Sequence, residues 1–401
     1  MRQCTNFIPY GRHAVDQDDI KAVEAVLKGD WLTCGSVVEA FEQGLCQTAK
    51  SPYAISCSNG TTALHLALLA LGIGPGDAVV VPAITFLASA NAVRFVGADV
   101  IFADVDPDTG LMTAQTLQKA IQNYPHASKI KAVINVHLNG QCEDLEAIYQ
   151  VAHEYGLFVV EDGAHAIGTH YINQKGEKFP VGSNQYADLT TFSFHPAKTV
   201  ATGEGGAITA KNPTLAGRLK LSRTHGMIRT NEDWAYKDQG FDEEGTPNPW
   251  YYEMQDLGFN YRISDINCAL GLSQLRKLGA FKKKRQQMVE KYDAAFEGIP
   301  FLSSLKKLPC SDTCWHLYVV KIDFKAIGKP RARVMNSLKE KGIGTQVHYM
   351  PLYRHPYYRN LYGPQQLPGA EAYYAACLSI PLYVGLTEEQ QGHVIKAMMG
   401  L

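Results

Sequence analysis

An α/β fold built on a mainly parallel sheet is predicted by three observations on the 401-residue sequence. Short apolar runs recur at 53–57, 78–81, 100–103, 132–136, 158–161 and 189–194, the lengths of buried strands. Helical stretches lie between most of them, at 61–69, 87–97, 113–123 and 144–155, and such alternation calls for parallel strands covered on both faces. Polar motifs follow the strands' carboxyl ends, where sheets of this kind hold their ligands.

Each element has a local reason. Asp16-Gln17-Asp18-Asp19 puts negative charge at the positive end of a helix whose apolar residues fall at 20, 23, 26 and 27. A loop at Trp31-Leu32-Thr33-Cys34-Gly35 leads to a second helix over 37–48, and the helix over 61–69 stops at Gly72. Residues 229–256 break the pattern with a long polar stretch, which marks a functional loop and a boundary. The expected division is a large domain at 1–255 and a smaller α+β domain at 256–401. The smaller one holds helices over 263–278 and on to 296, a strand at 316–322, a helix at 331–341 and a strand at 345–348. The run Lys282-Lys283-Lys284-Arg285 reads as a solvated helix face.

Bulk composition narrows the function classes. Hydrophobic residues make up 46% and charged residues 19%, ordinary values for a globular chain with a large core. A net charge of −1 without a basic stripe argues against a nucleic-acid partner. No run is long and apolar enough for a membrane span or a signal peptide, and the nine cysteines lack metal-site spacing. A reduced, cytoplasmic enzyme is the expectation, with no metal.

Four segments carry the chemistry. Ser193-Phe194-His195-Pro196-Ala197-Lys198 ends a strand in a proline-broken turn, followed by Gly203-Glu204-Gly205-Gly206. A lysine projecting into a pocket there would have a lowered pKa, as a Schiff-base lysine needs; the other reading is an exposed hairpin lysine. Ser58-Asn59-Gly60-Thr61-Thr62 sits between strand and helix, suited to a phosphate but equally to plain N-capping. Glu161-Asp162-Gly163-Ala164-His165 places Asp162 at a strand's end, able to hold a protonated ring nitrogen or merely to cap the next segment. Phe86, after Pro82-Ala83-Ile84-Thr85, could lie on a planar ring or be core, and His165 could be a satisfied core histidine.

Together and in this order these motifs, with Gly258-Phe259-Asn260-Tyr261-Arg262, resemble the DegT/DnrJ/EryC1/StrS family of sugar aminotransferases from about Tyr10 to Leu386. The resemblance implies fold type I, the aspartate aminotransferase type: a seven-stranded, mostly parallel sheet plus a smaller C-terminal α+β domain. It implies pyridoxal 5′-phosphate as cofactor. Lys198 then carries the cofactor as a Schiff base, Asp162 pairs with the pyridine nitrogen, and His165 lies near the ring hydroxyl. Phe86 stacks on the ring, and Thr61, Thr62 and Ser193 take the phosphate. Asn260 reaches the phosphate of a neighbouring subunit, which implies a homodimer with shared sites. Gly163 stands where many relatives have alanine.

Within the family, the segments 223–227, 250–254, 257–262 and 346–349 look like the branch acting in pseudaminic acid biosynthesis. That branch moves an amino group from L-glutamate to C4 of a UDP-linked 4-keto-6-deoxy-N-acetylhexosamine, giving the 4-amino sugar nucleotide and 2-oxoglutarate. Trp250 and Tyr251 are candidates to cover the sugar or uracil ring, and Arg229, Arg262 and His348 to meet the diphosphate; the alternative for these is surface or interface charge. Another nucleotide keto sugar, GDP-linked or D-configured, and a non-catalytic nucleotide-binding protein are the competing readings. A nicotinamide enzyme fits poorly, since no Gly-x-Gly-x-x-Gly follows the first strand.

Overall fold

Side-chain alternation along the strands decides how the layers stack, in a computed structural model that describes residues 7–401. The N-terminal helices α1 (Gln17–Leu27) and α2 (Ser36–Ala49) precede β1 (Tyr53–Cys57), α3 (Gly60–Ala70), β2 (Ala78–Pro82), α4 (Leu87–Phe95) and β3 (Asp99–Ala103). Then come α5 (Ala114–Asn123), β4 (Ile130–Val136), α6 (Leu145–Glu154) and β5 (Phe158–Asp162). A hairpin of β6 (His170–Ile172) and β7 (Lys178–Pro180) leads to β8 (Leu189–Ser193), β9 (Gly206–Ala210) and α7 (Pro213–Arg223).

Seven of these strands form one sheet in the order β1-β9-β8-β5-β4-β2-β3. All neighbours are parallel except β9, which is antiparallel to both β8 and β1. The expected fold type I sheet is the observed one. The reversal at β9 was not legible, because Gly206-Ala207-Ile208-Thr209 reads the same in either direction. Val79, Val81, Ala132 and Ile134 face one way, into a core shared with α3, α4 and α7. Their neighbours Ala78, Val80 and Val133 face the other way, under α5 and α6. Helix α3 is buried on nearly every side, from Ala63 to Leu68, so it carries no polar stripe. Because β1 and β8 both oppose β9, the carboxyl ends of β1, β2, β5 and β8 share one edge. The site lies along that edge.

The loop over 229–256 holds short β10 (Met227–Ile228), α8 (Lys237–Gly240) and β11 (Glu253–Met254) at and within its ends, β10 pairing with β11. Beyond it lie α9 (Asp265–Arg276), α10 (Leu278–Phe296), β12 (Leu302–Ser304), β13 (Ser311–Asp312), β14 (Tyr318–Ile322) and α11 (Arg331–Glu340). The last elements are α12 (Pro356–Tyr362), α13 (Pro368–Ala376), β15 (Cys377–Ile380) and α14 (Glu388–Met399). A second core packs α10, α11 and α14 on the antiparallel sheet β12-β14-β15, with Ile8 inserted from the N-terminal segment. It begins at Met288 in α10, whereas α9 packs against α1 and α2.

Two expectations need correction. Residues 345–348 form no strand; Gln346 makes a single bridge to Ser379, and the strand beside β14 is β15 instead. Polar Gln346 and His348 leave the sheet to line the cavity described below. The run 282–285 is not a solvated face either. Arg285 is 2% exposed, and its Nη1 donates to the carbonyls of Trp315, His316 and Leu382 at 3.1–3.2 Å. Lys282 reaches the Gly168 carbonyl and the Asp312 carboxylate, Lys284 is half-buried, and Lys283 alone of the four is exposed. No described helix is long and apolar enough to cross a membrane, and every described cysteine is free.

Candidate active site

A cavity of about 880 Å³ opens along the carboxyl edge of the sheet and is walled on its far side by segment 346–350. It brings together Thr61, Thr62, Phe86, Asp162, His165, Ser193, Lys198 and His348.

Lys198 is held by a closed turn. The Phe194 N–H donates to the Gly205 carbonyl at 2.8 Å, the Thr202 N–H to the Phe194 carbonyl at 2.9 Å, and the Lys198 N–H to the His195 carbonyl at 2.8 Å. These bonds point the lysine into the cavity wall, so it is not a solvated hairpin residue. Burial pushes its amine down from the ordinary lysine range to about 8, against the opposing pull of the Asp162 charge. At neutral pH a larger fraction of the amine is therefore neutral and nucleophilic.

Asp162 closes β5 at 6% exposure. Its Oδ1 accepts the Ala164 N–H at 3.1 Å and its Oδ2 accepts the Ser89 hydroxyl at 2.8 Å. Ser89 is itself 2.8 Å from the Thr85 hydroxyl, so α4 and the turn before it clamp the carboxylate. Two donors leave lone pairs for a third, such as a ring N–H.

The N-terminus of α3 forms a cup. Asn59 caps the helix through the Thr62 N–H at 2.9 Å, and Thr62 returns the bond by accepting the Asn59 N–H at 3.1 Å. The Thr62 hydroxyl is thus engaged, while the Thr61 hydroxyl and the first-turn N–H groups of Gly60 and Thr61 take no part in the cap. Gly60 and Gly206 floor this cup. A Cβ on Gly60 would lie 2.7 Å from the Ser193 Cβ, and one on Gly206 would lie 2.3 Å from the Asn59 carbonyl oxygen. Only glycines let β8, β9 and α3 close so tightly. The cup, with free donors, the Ser193 hydroxyl and the positive helix end, fits a phosphate; the lysine and carboxylate beside it fit the rest of pyridoxal phosphate.

The remaining walls are aromatic. Phe86 is 55% exposed and its ring stands 6.0 Å from that of Tyr349. His165 accepts the Asn139 N–H at 3.3 Å through Nδ1 and lies 3.5 Å from the Tyr349 hydroxyl through Nε2. Burial and the nearby Lys198 hold it well below the ordinary histidine range, hence neutral. His348, its Nδ1 2.7 Å from the Ser379 hydroxyl, is likewise held down to about 3 by burial and Lys198.

Five nominated residues lie outside this cavity. Asn260 and Arg229 are exposed, Arg262 is half-buried, and Trp250 is 73% exposed. Tyr251 turns inward within its own loop, where its hydroxyl is 3.1 Å from Glu253 and its ring packs on Trp234. Conversely, Ser89, Tyr10 and His316 shape the site without having been nominated. Ser89 was findable, four residues after Thr85 on the first turn of α4. Tyr10 had no signal, for it arrives through a long-range bond from the Leu382 N–H to its carbonyl.

The model of the DegT/DnrJ/EryC1/StrS aminotransferase family matches residues 13–399. The spore coat polysaccharide biosynthesis protein SpsC of Bacillus subtilis (strain 168) is 35% identical over 396 residues, covering 98% of this chain and 96% of its own. Among solved structures, Helicobacter pylori PseC, an aminotransferase of pseudaminic acid biosynthesis, superposes with a TM-score of 0.87 at 28% identity over 98% of this chain and 99% of its own. A sugar aminotransferase from Streptococcus pneumoniae, Spr1654, solved in its PLP form, gives 0.85 at 28% identity over 98% of both chains, and a PMP form of it also matches.

Proposed function

The chain belongs to the DegT/DnrJ/EryC1/StrS aminotransferase family, and from that premise we propose that it transfers an amino group from L-glutamate to C4 of a UDP-linked 4-keto-6-deoxy-N-acetylhexosamine in pseudaminic acid biosynthesis. The family is dependent on pyridoxal phosphate. The observation that carries the reading is the meeting of Lys198 and Asp162 beside a glycine-floored cup in one cavity.

When bound, the cofactor supplies an aldehyde that bonds amines and a ring that spreads the charge left when a neighbouring carbon loses its proton. Lys198 would hold it at the aldehyde and, with its amine free, would act through Nζ as the base that takes the proton from glutamate Cα. In the second half the same amine would deliver a proton to C4 of the sugar. Asp162, fixed by Ser89 and Ala164, keeps a ring nitrogen protonated. The Thr61 and Ser193 hydroxyls and the free N–H groups of the cup would hold the phosphate, with Thr62, its own donors spent on Asn59, shaping the cup; Phe86 would cover one ring face, and neutral His165 would offer its Nε2–H toward the ring hydroxyl.

The five residues outside the cavity suit a shared site in a cytoplasmic homodimer. Exposed Asn260 would reach the partner's phosphate, and Arg229, Arg262 and Trp250 would approach the partner's sugar nucleotide, with Tyr251 bracing that loop through Glu253 and His348 on the inner wall. Domains at 1–255 and 256–401 would flank the cleft, with α9 of the second packed back on α1 and α2 of the first.

Likeness to PseC supports the pseudaminic acid assignment. The higher identity to a spore-coat polysaccharide protein favours a second reading, another nucleotide 4-keto sugar. A panel of UDP- and GDP-linked 4-keto sugars, followed by mass spectrometry of the amino product, separates them. Turnover of the UDP-linked L-configured substrate alone supports the first, and preference for any other sugar supports the second.

A further inference from the structure

The His165 ring has one firm hydrogen bond, yet its orientation has to be fixed. Its Nδ1 accepts the Asn139 N–H at 3.3 Å, so in the neutral ring the proton sits on Nε2, toward the Tyr349 hydroxyl at 3.5 Å. Asn139 adopts a φ of 62°, a left-handed conformation that asparagine takes up more readily than most non-glycine residues. Its carbonyl accepts the His316 N–H at 2.8 Å. Asn139 therefore meets both histidines through its main chain, His165 by its N–H and His316 by its carbonyl.

The side chains repeat the connection. The rings of His316 and His165 have centroids 4.3 Å apart and planes at 42°, which is van der Waals contact. His316 is 5% exposed and lines the cavity, and its Nδ1 has no partner among the described residues. No hydrogen bond to a described residue fixes the ring, which rests against His165. The backbone behind it is rigid, since buried Arg285 donates to the carbonyls of both Trp315 and His316 at 3.2 Å. A strut thus runs from α10 through His316 to His165. Burial keeps both imidazoles neutral, which removes repulsion between them.

We infer that His316 is a positioning residue for His165: its main chain anchors the carbonyl of Asn139, the residue whose N–H fixes the His165 tautomer, and its ring bars His165 from turning away from the cavity. The inference rests on the reading of the cavity as the pyridoxal phosphate site.

The test is long-range ¹H–¹⁵N spectroscopy of ¹⁵N-histidine protein, with and without pyridoxal phosphate, the His165 signals being identified by their loss in His165→Gln. The wild type should show His165 as one Nε2–H tautomer. In His316→Ala that signal should broaden or mix with the other tautomer. Its kcat should fall about tenfold to a hundredfold, while KM for glutamate stays within about threefold. His316→Phe, which restores a flat ring, should recover the single tautomer and most of kcat. If His316→Ala does not fold, His316→Leu, bulky but not flat, takes its place in the same comparison. A single tautomer and unchanged kcat in His316→Ala, or a His316→Phe that behaves like His316→Ala, would overturn the inference. The tautomer is read without cofactor, so failure of the wild type to bind pyridoxal phosphate would sink the cofactor reading alone.

Discussion

Two kinds of side chain make the site: a few that meet the ligand and the small ones that let them converge. Lys198 belongs to the first kind. With its amine at about 8, the rate of Schiff-base formation with pyridoxal phosphate should climb with pH and level off above about pH 8. Stopped-flow absorbance from pH 6 to 10 checks this, and a rise continuing past pH 10 would show an ordinary solvated lysine. Gly60 belongs to the second kind. A Cβ at 2.7 Å from Ser193 forces β8 and α3 apart, so Gly60→Ala should weaken cofactor affinity and cost about 1–3 kcal/mol of stability. Equilibrium titration and urea unfolding read the two effects. At this scale the sequence was informative for Lys198, Asp162 and Ser193, because they lie within or just past strands whose ends could be located. It was silent on Tyr10 and His316, whose places depend on where distant segments pack.

Among the elements, the long loop between β10 and α9 has its own small core. Glu253 is buried there, and its carboxylate accepts the N–H groups of Ala235 and Tyr236 at 2.7 and 2.8 Å, the Tyr251 hydroxyl at 3.1 Å and the Gln255 amide at 2.7 Å. Burial opposes its charge, but these donors win and hold the group down to about 2. A carboxyl lowered in the folded state stabilises the loop above its unfolded pKa and loses that effect as pH falls through about 2. The loop should therefore stay ordered at pH 5 and loosen between about pH 4 and 2. Glu253→Ala should expose residues 231–256 to limited proteolysis at neutral pH while the main melting transition barely moves; resistance equal to wild type would contradict this. The apolar strands of the sheet were legible as elements because burial on both faces favours short, mostly apolar runs such as Val79-Val80-Val81. The stretch at 345–348 misled because Val347 sits among polar residues drawn to the cavity, and the run at 282–285 because charge hides the carbonyls that a buried arginine can satisfy.

For the whole molecule, the joining of two cores decides whether the cavity keeps its shape. Arg285 stands at that junction, in α10, and ties Trp315 and His316 beside the cavity to Leu382 beyond β15. Arg285→Ala strands three buried carbonyls, so a loss of about 3 kcal/mol or more is expected from chemical unfolding; a change under about 1 kcal/mol would mean that water replaces the guanidinium without cost. The fold class followed from strand–helix alternation, whereas the place of α9 against α1 and α2 did not. Helix amphipathicity says that a face is covered but not by what.

The central claim is that Lys198 and Asp162 make this cavity an amino-group carrier. The most direct measurement is the absorption spectrum of the protein with pyridoxal phosphate before and after L-glutamate, with Lys198→Ala alongside. A band at roughly 410–430 nm that moves to about 330 nm with glutamate, with no turnover in Lys198→Ala, is the predicted result. No band in excess cofactor, or full turnover in Lys198→Ala, would contradict it.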